Sequence, residues 1–485
     1  MRFGMPEQKQ PVVNPAAIPA KAEEQKPDSK DEELKKKSLG YSISDGSFYN
    51  VMVNFGERFV VPFAVKINAT AQQIGFISSV PQLASSLFQP FSANIADKLK
   101  KRKRLVLIAA LLQALVWIPM ILVVILFRNP WLLLLFFTFY VVFGSFISPL
   151  WSSWMGDLVN EKERGRFFGK RNMIAGFVGF VAMLVAGFVL HLFADSAVFY
   201  GFMILFAVAL FARLASLSYL ARMHEPQYAV TEASYFSLRS FIKKMPFNNF
   251  GRFVIFSVLI SLVANIASPF FVVYMLRDLN FNYLMFTVAI AAQTIIYLFA
   301  MNYWGKYSDI FGNKAILSIT GILIPFTPML WLVSGNFYYI VFVFVLTGFI
   351  WAGFDLCVSN YFFDAVTPQR RARCIAFHNT LSGFAVFIGA AFGGFLVGAM
   401  AAPLIFPSKF QFLFFLSGIL RLAVVLAFIP VLKEVRVVEP APKPKLFFRL
   451  YLVEPPKELF YLAKNQAHSM KNLIKGTPKK GNQSL

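Results

Sequence analysis

The chain is poor in the residues from which reactive or stapled sites are built. Two cysteines occur, Cys357 and Cys374, too few for a disulfide framework. Four histidines, His191, His224, His378 and His468, are scattered and give no metal-ligand spacing. No phosphate-cradling glycine loop is present, so ATP-driven work by this chain alone is not expected. No nucleophile–base pair and no paired catalytic carboxylates stand out, and an enzyme finds no support. Charge is scarce as well: 15% of residues are charged, against roughly 25% in a soluble domain.

What is present is apolar. Hydrophobic residues make up 57% of the 485, with 58 Phe. Such a chain has lipid as its main solvent, and the expected class is an all-α membrane protein. A membrane helix needs roughly 20 mostly apolar residues to cross about 30 Å of hydrocarbon. Twelve such segments are expected, near 46–66, 73–96, 105–127, 131–156, 170–193, 197–221, 250–276, 282–303, 315–334, 337–363, 376–400 and 410–432. The expected organisation is a disordered tail over 1–43, a bundle over 44–222, a linker over 223–249, a second bundle over 250–432 and a basic tail over 433–485. Residues 1–40 lack the apolar core of a cleavable signal, so the first apolar segment reads as a span. Within the second tail, 457–475 has the pattern of an interfacial helix.

The net charge of +23 is not evidence for nucleic acid. With residue 1 placed in the cytoplasm, 40 of the 47 Lys and Arg fall in the tails and inner loops, 4 in outer loops and 3 within spans. That split is what the positive-inside rule predicts for two cytoplasmic termini. The basic face would meet anionic lipid headgroups, and no folded basic domain for nucleic acid is visible.

The two halves repeat. Residues 157–188 and 364–395 align without a gap at an offset of 207, with 10 identities in 32. Asp157, Arg164, Arg166 and Asn172 meet Asp364, Arg371, Arg373 and Asn379. Apolar composition alone would not align Asp, two Arg and Asn in connecting loops. Both loops lie on the inner side, so the copies are parallel. Asp97-Lys98 after the second helix and Asp309 after the eighth form a further pair.

These residues resemble the major facilitator superfamily. The family's loop motif, Gly-x-x-x-Asp-Arg/Lys-x-Gly-Arg-Arg/Lys, is similar to Gly305, Asp309, Gly312, Asn313 and Lys314 in the second half. In the first half Asp97, Lys98, Lys101 and Arg102 fit, whereas Ala93 and Lys100 replace the glycines. The resemblance covers residues about 44–432 and implies two parallel six-helix bundles that rock around a central cavity. It implies a plasma-membrane protein, a small-molecule substrate, a coupling proton or sodium ion, a monomer and no cofactor. The motif and the repeated loops would gate access, their acidic and basic residues pairing across the bundles: Asp97, Lys98, Arg102, Asp309, Lys314, Asp157, Arg164, Arg166, Asp364, Arg371 and Arg373, with Gly305 and Gly312 of the motif beside them. The same residues could instead cap helices and sit among headgroups.

An ionisable group within a span costs several kcal/mol unless it faces a cavity or a partner. On the first helix Asp45, Tyr49, Asn50, Asn54, Glu57 and Arg58 form a polar stripe, which the resemblance would turn toward the cavity. Glu57 is the candidate coupling carboxylate, expected to meet Arg213 or a substrate group, or else to be half of a structural ion pair. Arg58 could meet Asp355 or reach outward. Trp351 and Asp355, four residues apart, put an aromatic face beside a carboxylate, a pattern that suits a cation or a polyol. Asn265 belongs to a polar row on the seventh helix that binds solute or holds helices together. Arg213 and Arg421 would suit an anion, with Arg421 the more structural of the two. The leading expectation is a secondary active transporter using alternating access; the alternative is a non-transporting receptor or scaffold of the same shape.

Overall fold

The computed structural model describes residues 29–99, 101–160, 163–193, 197–226, 237–400 and 405–435. The first 28 residues and 436–485, including the 457–475 stretch, lie outside it, as do the side chains of Asp97, Lys98 and Arg164. Every regular element among the described residues is helical. Joined across short π and 3-10 turns, the helices run in sequence. The first, α1, comprises Ser29–Met52, a π turn Val53–Glu57 and Arg58–Lys66; α2 is Ala71–Leu99. Then come α3 (Arg102–Phe127), α4 (Pro130–Leu158), α5 (Arg164–Leu192) and α6 (Val198–Arg222). After a short linker helix (Leu238–Lys244) follow α7 (Asn249–Asp278), α8 (Tyr283–Phe311), α9 (Asn313–Leu332), α10 (Phe337–Ala365), α11 (Pro368–Ala399) and α12 (Lys409–Phe428).

Ten of these, α3 to α12, are long and apolar enough to cross a membrane. Twelve equivalent spans were expected; α1 and α2 are as long but carry too many polar residues to qualify by composition. The first tail is also shorter than expected. Helix α1 begins at Ser29, inside the segment read as disordered, because its surface is not merely polar: Lys37 pairs with Glu33 one turn away, and Ser38 and Ser42 are buried. Ser38 Oγ accepts the amide of His224 at 2.8 Å, which ties the start of α1 to the end of α6.

Local chemistry sets the helix starts. Asn129 caps α4 by accepting from the amide of Trp131 at 2.8 Å, with Pro130 at the first helical position. Asn248, Asn282, Asn336 and Ser408 cap α7, α8, α10 and α12 in the same way. Gly312 ends α8 at φ 84°, a left-handed conformation that suits glycine, and α9 starts immediately afterwards.

In the first half α1 packs on α5 and α6, and α4 on α2 and α3; in the second α7 packs on α11 and α12, and α10 on α8 and α9. Between the halves, α2 lies along α11 and α5 along α8. Glycines allow the close approaches: a Cβ on Gly394 would sit 2.8 Å from Ala71 O, and one on Gly393 2.1 Å from Ile266 O.

Contacts at the end that carries the basic connections recur at matched positions. Glu225, just past α6, accepts the amide of Lys103 at the start of α3 at 2.9 Å; Glu434, just past α12, accepts the amide of Lys314 at the start of α9 at 2.7 Å. Trp154 Nε1 donates to His224 O at 2.8 Å, and Tyr361 OH to Lys433 O at 3.0 Å. Arg102 Nη2 meets Asp157 Oδ2 at 2.7 Å, and Asn313 Nδ2 donates to Asp364.

The apolar core is divided unevenly. At the far end, opposite the basic connections, residues of α1 through α12 form one continuous cluster that includes Phe59, Phe63, Phe202, Phe270, Phe286 and Phe414. At the basic end there are two clusters, one within the first half around Trp154 and Met155 and one within the second around Trp304 and Tyr361. Arg277 of α7 reinforces the far end, donating through Nη2 to Ala69 O at 2.8 Å and Val65 O at 3.2 Å.

Candidate functional site

Two polar cavities lie in the interior, one in each half. The first, about 240 Å³, is lined by Asp45, Tyr49 and Asn50 of α1, Gly144, Ser148 and Trp151 of α4, Arg171 of α5 and Arg213 of α6. The second, about 390 Å³, is lined by Asn265 and Ser268 of α7, Gln293 and Tyr297 of α8, Trp351 and Asp355 of α10 and Arg421 of α12, with Trp331 and Phe271 as aromatic walls. The two occupy matching places in the repeat. Gly144 and Trp351, and Ser148 and Asp355, are each 207 residues apart, and Arg213 and Arg421 are 208 apart.

In the first cavity the charges form a chain. Arg171 Nε donates to Ser42 Oγ at 3.0 Å and Ser42 O at 3.1 Å, and its Nη2 lies 3.5 Å from Asp45 Oδ2. The other oxygen of Asp45 accepts from Ser216 Oγ at 2.7 Å, and Ser216 Oγ accepts from Arg213 Nη1 at 2.8 Å. The guanidinium of Arg171 stacks on Trp151, 4.3 Å from the ring centre, and that of Arg213 lies 5.2 Å from the Tyr49 ring. Gly46 is needed beside them, since a Cβ there would fall 2.7 Å from Arg171 Nη2.

In the second cavity the chemistry is milder. Tyr297 OH donates to Asp355 Oδ2 at 3.0 Å, next to Trp351 on the same helix. Asn265 Nδ2 is turned back to Ser261 O at 2.8 Å, much as Asn50 and Asn54 bond Gly46 O and Asn50 O one turn behind them. Where Arg171 faces Asp45 in the first half, His378 Nε2 faces Ser257 Oγ at 2.9 Å in the second.

The single polar site expected from the sequence is thus divided. Asp45, Asn50 and Arg213 line the first cavity, and Trp351, Asp355 and Asn265 the second. Glu57, Arg58 and Asn54 line neither. Glu57, at the end of the π turn, accepts from Tyr140 OH at 3.0 Å; the expected partner Arg213 is engaged with Ser216 instead. Arg58 is exposed on α1, and Asp355 is held by Tyr297. Arg171 and Ser216 carry the first site and were not anticipated, nor was Tyr140 as the partner of Glu57. The repeat held one signal for Arg171, which stands 207 residues before His378.

The motif residues form contacts inside each half. Arg102, buried, also donates from Nη1 to Ser153 Oγ at 2.9 Å in addition to its bond with Asp157. Arg371 Nη2 donates to Phe363 O and Val366 O at 3.0 and 3.3 Å, at the end of α10. Gly305 has open space beyond the Leu356 side chain, and Asp309 and Arg166 are exposed. These bonds lie within one half each, as does the apolar core at this end.

The fold has relatives among solved structures. A mutant form of the nucleoside transporter NupG superposes with a TM-score of 0.65 at 14% identity, covering 82% of this chain and all of that one. A bacterial homologue of the human lysosomal transporter Spinster, in an inward-facing and unoccupied conformation, gives 0.60 at 12% identity over 84% of this chain and 96% of that one. A bacterial metal transporter gives 0.55 at 13% identity, covering 82% and 98%. No curated protein sequence matches. The sequence profile described as Major Facilitator Superfamily matches twice, over residues 38–263 and 253–467, once for each half of the helical array. A multi-pass helical membrane protein matched by that profile along nearly its whole length belongs to the major facilitator superfamily, a family of transporters of small molecules.

Proposed function

We propose that the chain is a secondary active transporter of a small polar solute, resident in the plasma membrane, with both termini in the cytoplasm. Helices α1 and α2 cross the membrane with the other ten and complete two six-helix halves, and the matched contacts of Lys103 with Glu225 and Lys314 with Glu434 support that duplication. The uneven core carries the reading. A molecule whose halves share one core at the far end and keep separate cores at the basic end has a closed and an openable side, as alternating access requires. The basic end is the cytoplasmic one by the distribution of Lys and Arg. Asp97 and Lys98 at the end of α2, and Gly305, Asp309 and Gly312 at the end of α8, serve as its gate.

Coupling to a proton or sodium ion falls to Glu57. It sits within α1 on a π turn, a helical irregularity often found at working sites, and a tyrosine hydroxyl is its partner. A carboxyl group so placed can take up and release a cation as its surroundings change. Purified protein reconstituted in proteoliposomes and screened for solute counterflow is the test. Counterflow of at least one small solute is expected, with accumulation driven by an imposed proton or sodium gradient in the wild type. Glu57→Gln should keep counterflow and lose gradient-driven accumulation. A protein that binds solute without exchanging it would refute the transporter reading; a Glu57→Gln variant that still accumulates solute would refute the coupling role.

A further inference from the structure

Two of the buried arginines, Arg213 and Arg421, are set at matching places in the repeat, yet their surroundings differ. Arg421, 3% exposed, places Nη1 on Thr327 Oγ1 at 3.1 Å and Ile324 O at 3.4 Å and Nη2 on Ala264 O at 3.3 Å, leaving its Nε alone without an acceptor. It is held as a structural strut. Arg213, 1% exposed, uses Nη1 on Ser216, while its Nε and Nη2 have no acceptor. Those two nitrogens lie on one edge of the guanidinium, the edge that grips two oxygens side by side. The Trp151 indole N–H, at the same cavity, has no acceptor either.

The carboxylates nearby do not fill that edge. Asp45 is taken by Ser216 on one oxygen and Arg171 on the other, and Glu57 accepts from Tyr140. Among the residues lining the cavity, two guanidiniums stand against one carboxylate. A buried cation with unfilled donors is costly and calls for a partner. We infer that the first cavity binds an oxyanion group of the transported solute, a carboxylate or a phosphate ester, on the Nε and Nη2 hydrogens of Arg213. This rests on the reading of the chain as a solute carrier and names the chemical class of its solute. Arg171 and Tyr49 shape the pocket: the first by fixing Asp45, the second by covering the guanidinium face.

The test is thermal unfolding of the purified full chain at constant ionic strength. The probes are inorganic phosphate, acetate, succinate and benzoate, with dimethyl succinate and methyl benzoate as uncharged counterparts. At least one anion should raise the unfolding temperature where its ester does not, and the arms separate a phosphate site from a carboxylate site. Arg213→Gln should weaken that anion about tenfold or more, the loss expected of charge-assisted bonds. Should Arg213→Gln fail to fold, Arg213→Lys keeps the charge without the side-on edge and should still bind several-fold more weakly than wild type. Stabilisation by esters as strong as by acids, no stabilisation by any anion, or equal anion binding in wild type and both Arg213 variants would overturn the assignment. Anion binding that depends on Arg213 without counterflow keeps the site and refutes the carrier; counterflow of a neutral solute indifferent to Arg213 keeps the carrier and refutes the site.

Discussion

At the far end, side chains from α1 through α12 meet in one core, and Arg277 of α7 binds carbonyls at the end of α1; at the basic end each half has an apolar core of its own among the described residues. The difference teaches where this molecule can part. Opening the basic end breaks no apolar core that joins the halves among the described residues. Opening the far end must separate packed aromatics such as Phe59 from Phe286 and Phe202 from Tyr283, with ring centres 6.3 and 5.5 Å apart. In lipid, where apolar surface gains little by leaving the solvent, such packing and a few hydrogen bonds are what hold helices together. The far-end closure is therefore a matter of fit and of a small number of polar ties, and substitutions can probe it.

The largest effect is expected inside a half. A Cβ at Gly389 would fall 2.2 Å from Leu262 O, in the tight α7–α11 contact of the second half. Gly389→Leu should cost about 3 kcal/mol by overpacking and abolish a monodisperse peak in size-exclusion chromatography. A folded, monodisperse variant would show that the halves are looser inside than their shared contacts imply. An intermediate effect is expected at the far-end tie. Arg277→Ala removes two bonds between the halves, each to a charged donor, and should shift the population toward far-end opening by about tenfold. Spin labels at the exposed positions Asn68 and Asn280 would report a longer distance; an unchanged distance distribution would assign the closure to packing alone. The smallest effect is expected at the basic end. Glu225→Ala and Glu434→Ala each remove a side-chain acceptor from a helix start and should each cost about 1 kcal/mol, roughly 2 °C in unfolding temperature. Equal losses would sharpen the equivalence of the halves, and a loss in only one of them would break it.

The sequence made the helices from α3 onward legible because twenty apolar residues in a row admit few other structures. The repeat was legible through Asp157, Arg164 and Asp364, Arg371, since charge in loops is not dictated by lipid. Helix α1 was read too short. Hydropathy registers its apolar part and is blind to Ser38 and Ser42, which are buried against other helices and not in lipid. The polar stripe on α1 was found, but its partners were not. Asp45 meets Ser216 across 171 positions and Glu57 meets Tyr140 across 83, and nothing local in the chain announces either. Asn50 and Asn54 looked free to bind solute, yet each bonds a carbonyl one turn back on its own helix.

The π turn Val53–Glu57 has a mechanical consequence. It stores one residue more than an α-helix needs over the same rise, and such a surplus can slide along a helix like a wrinkle in a carpet. Moving it by one position would turn the side chains it passes by about 100° while every residue beyond stays in register. Glu57 sits at the wrinkle's edge, so a small slide is enough to take its carboxyl group from the Tyr140 hydroxyl to another face of the helix. The second half carries a π turn at Tyr274–Asp278, ending beside the Arg277 tie. Two helices that can each turn a short stretch without unwinding give the array a ratchet at the places where its polar ties are made and broken.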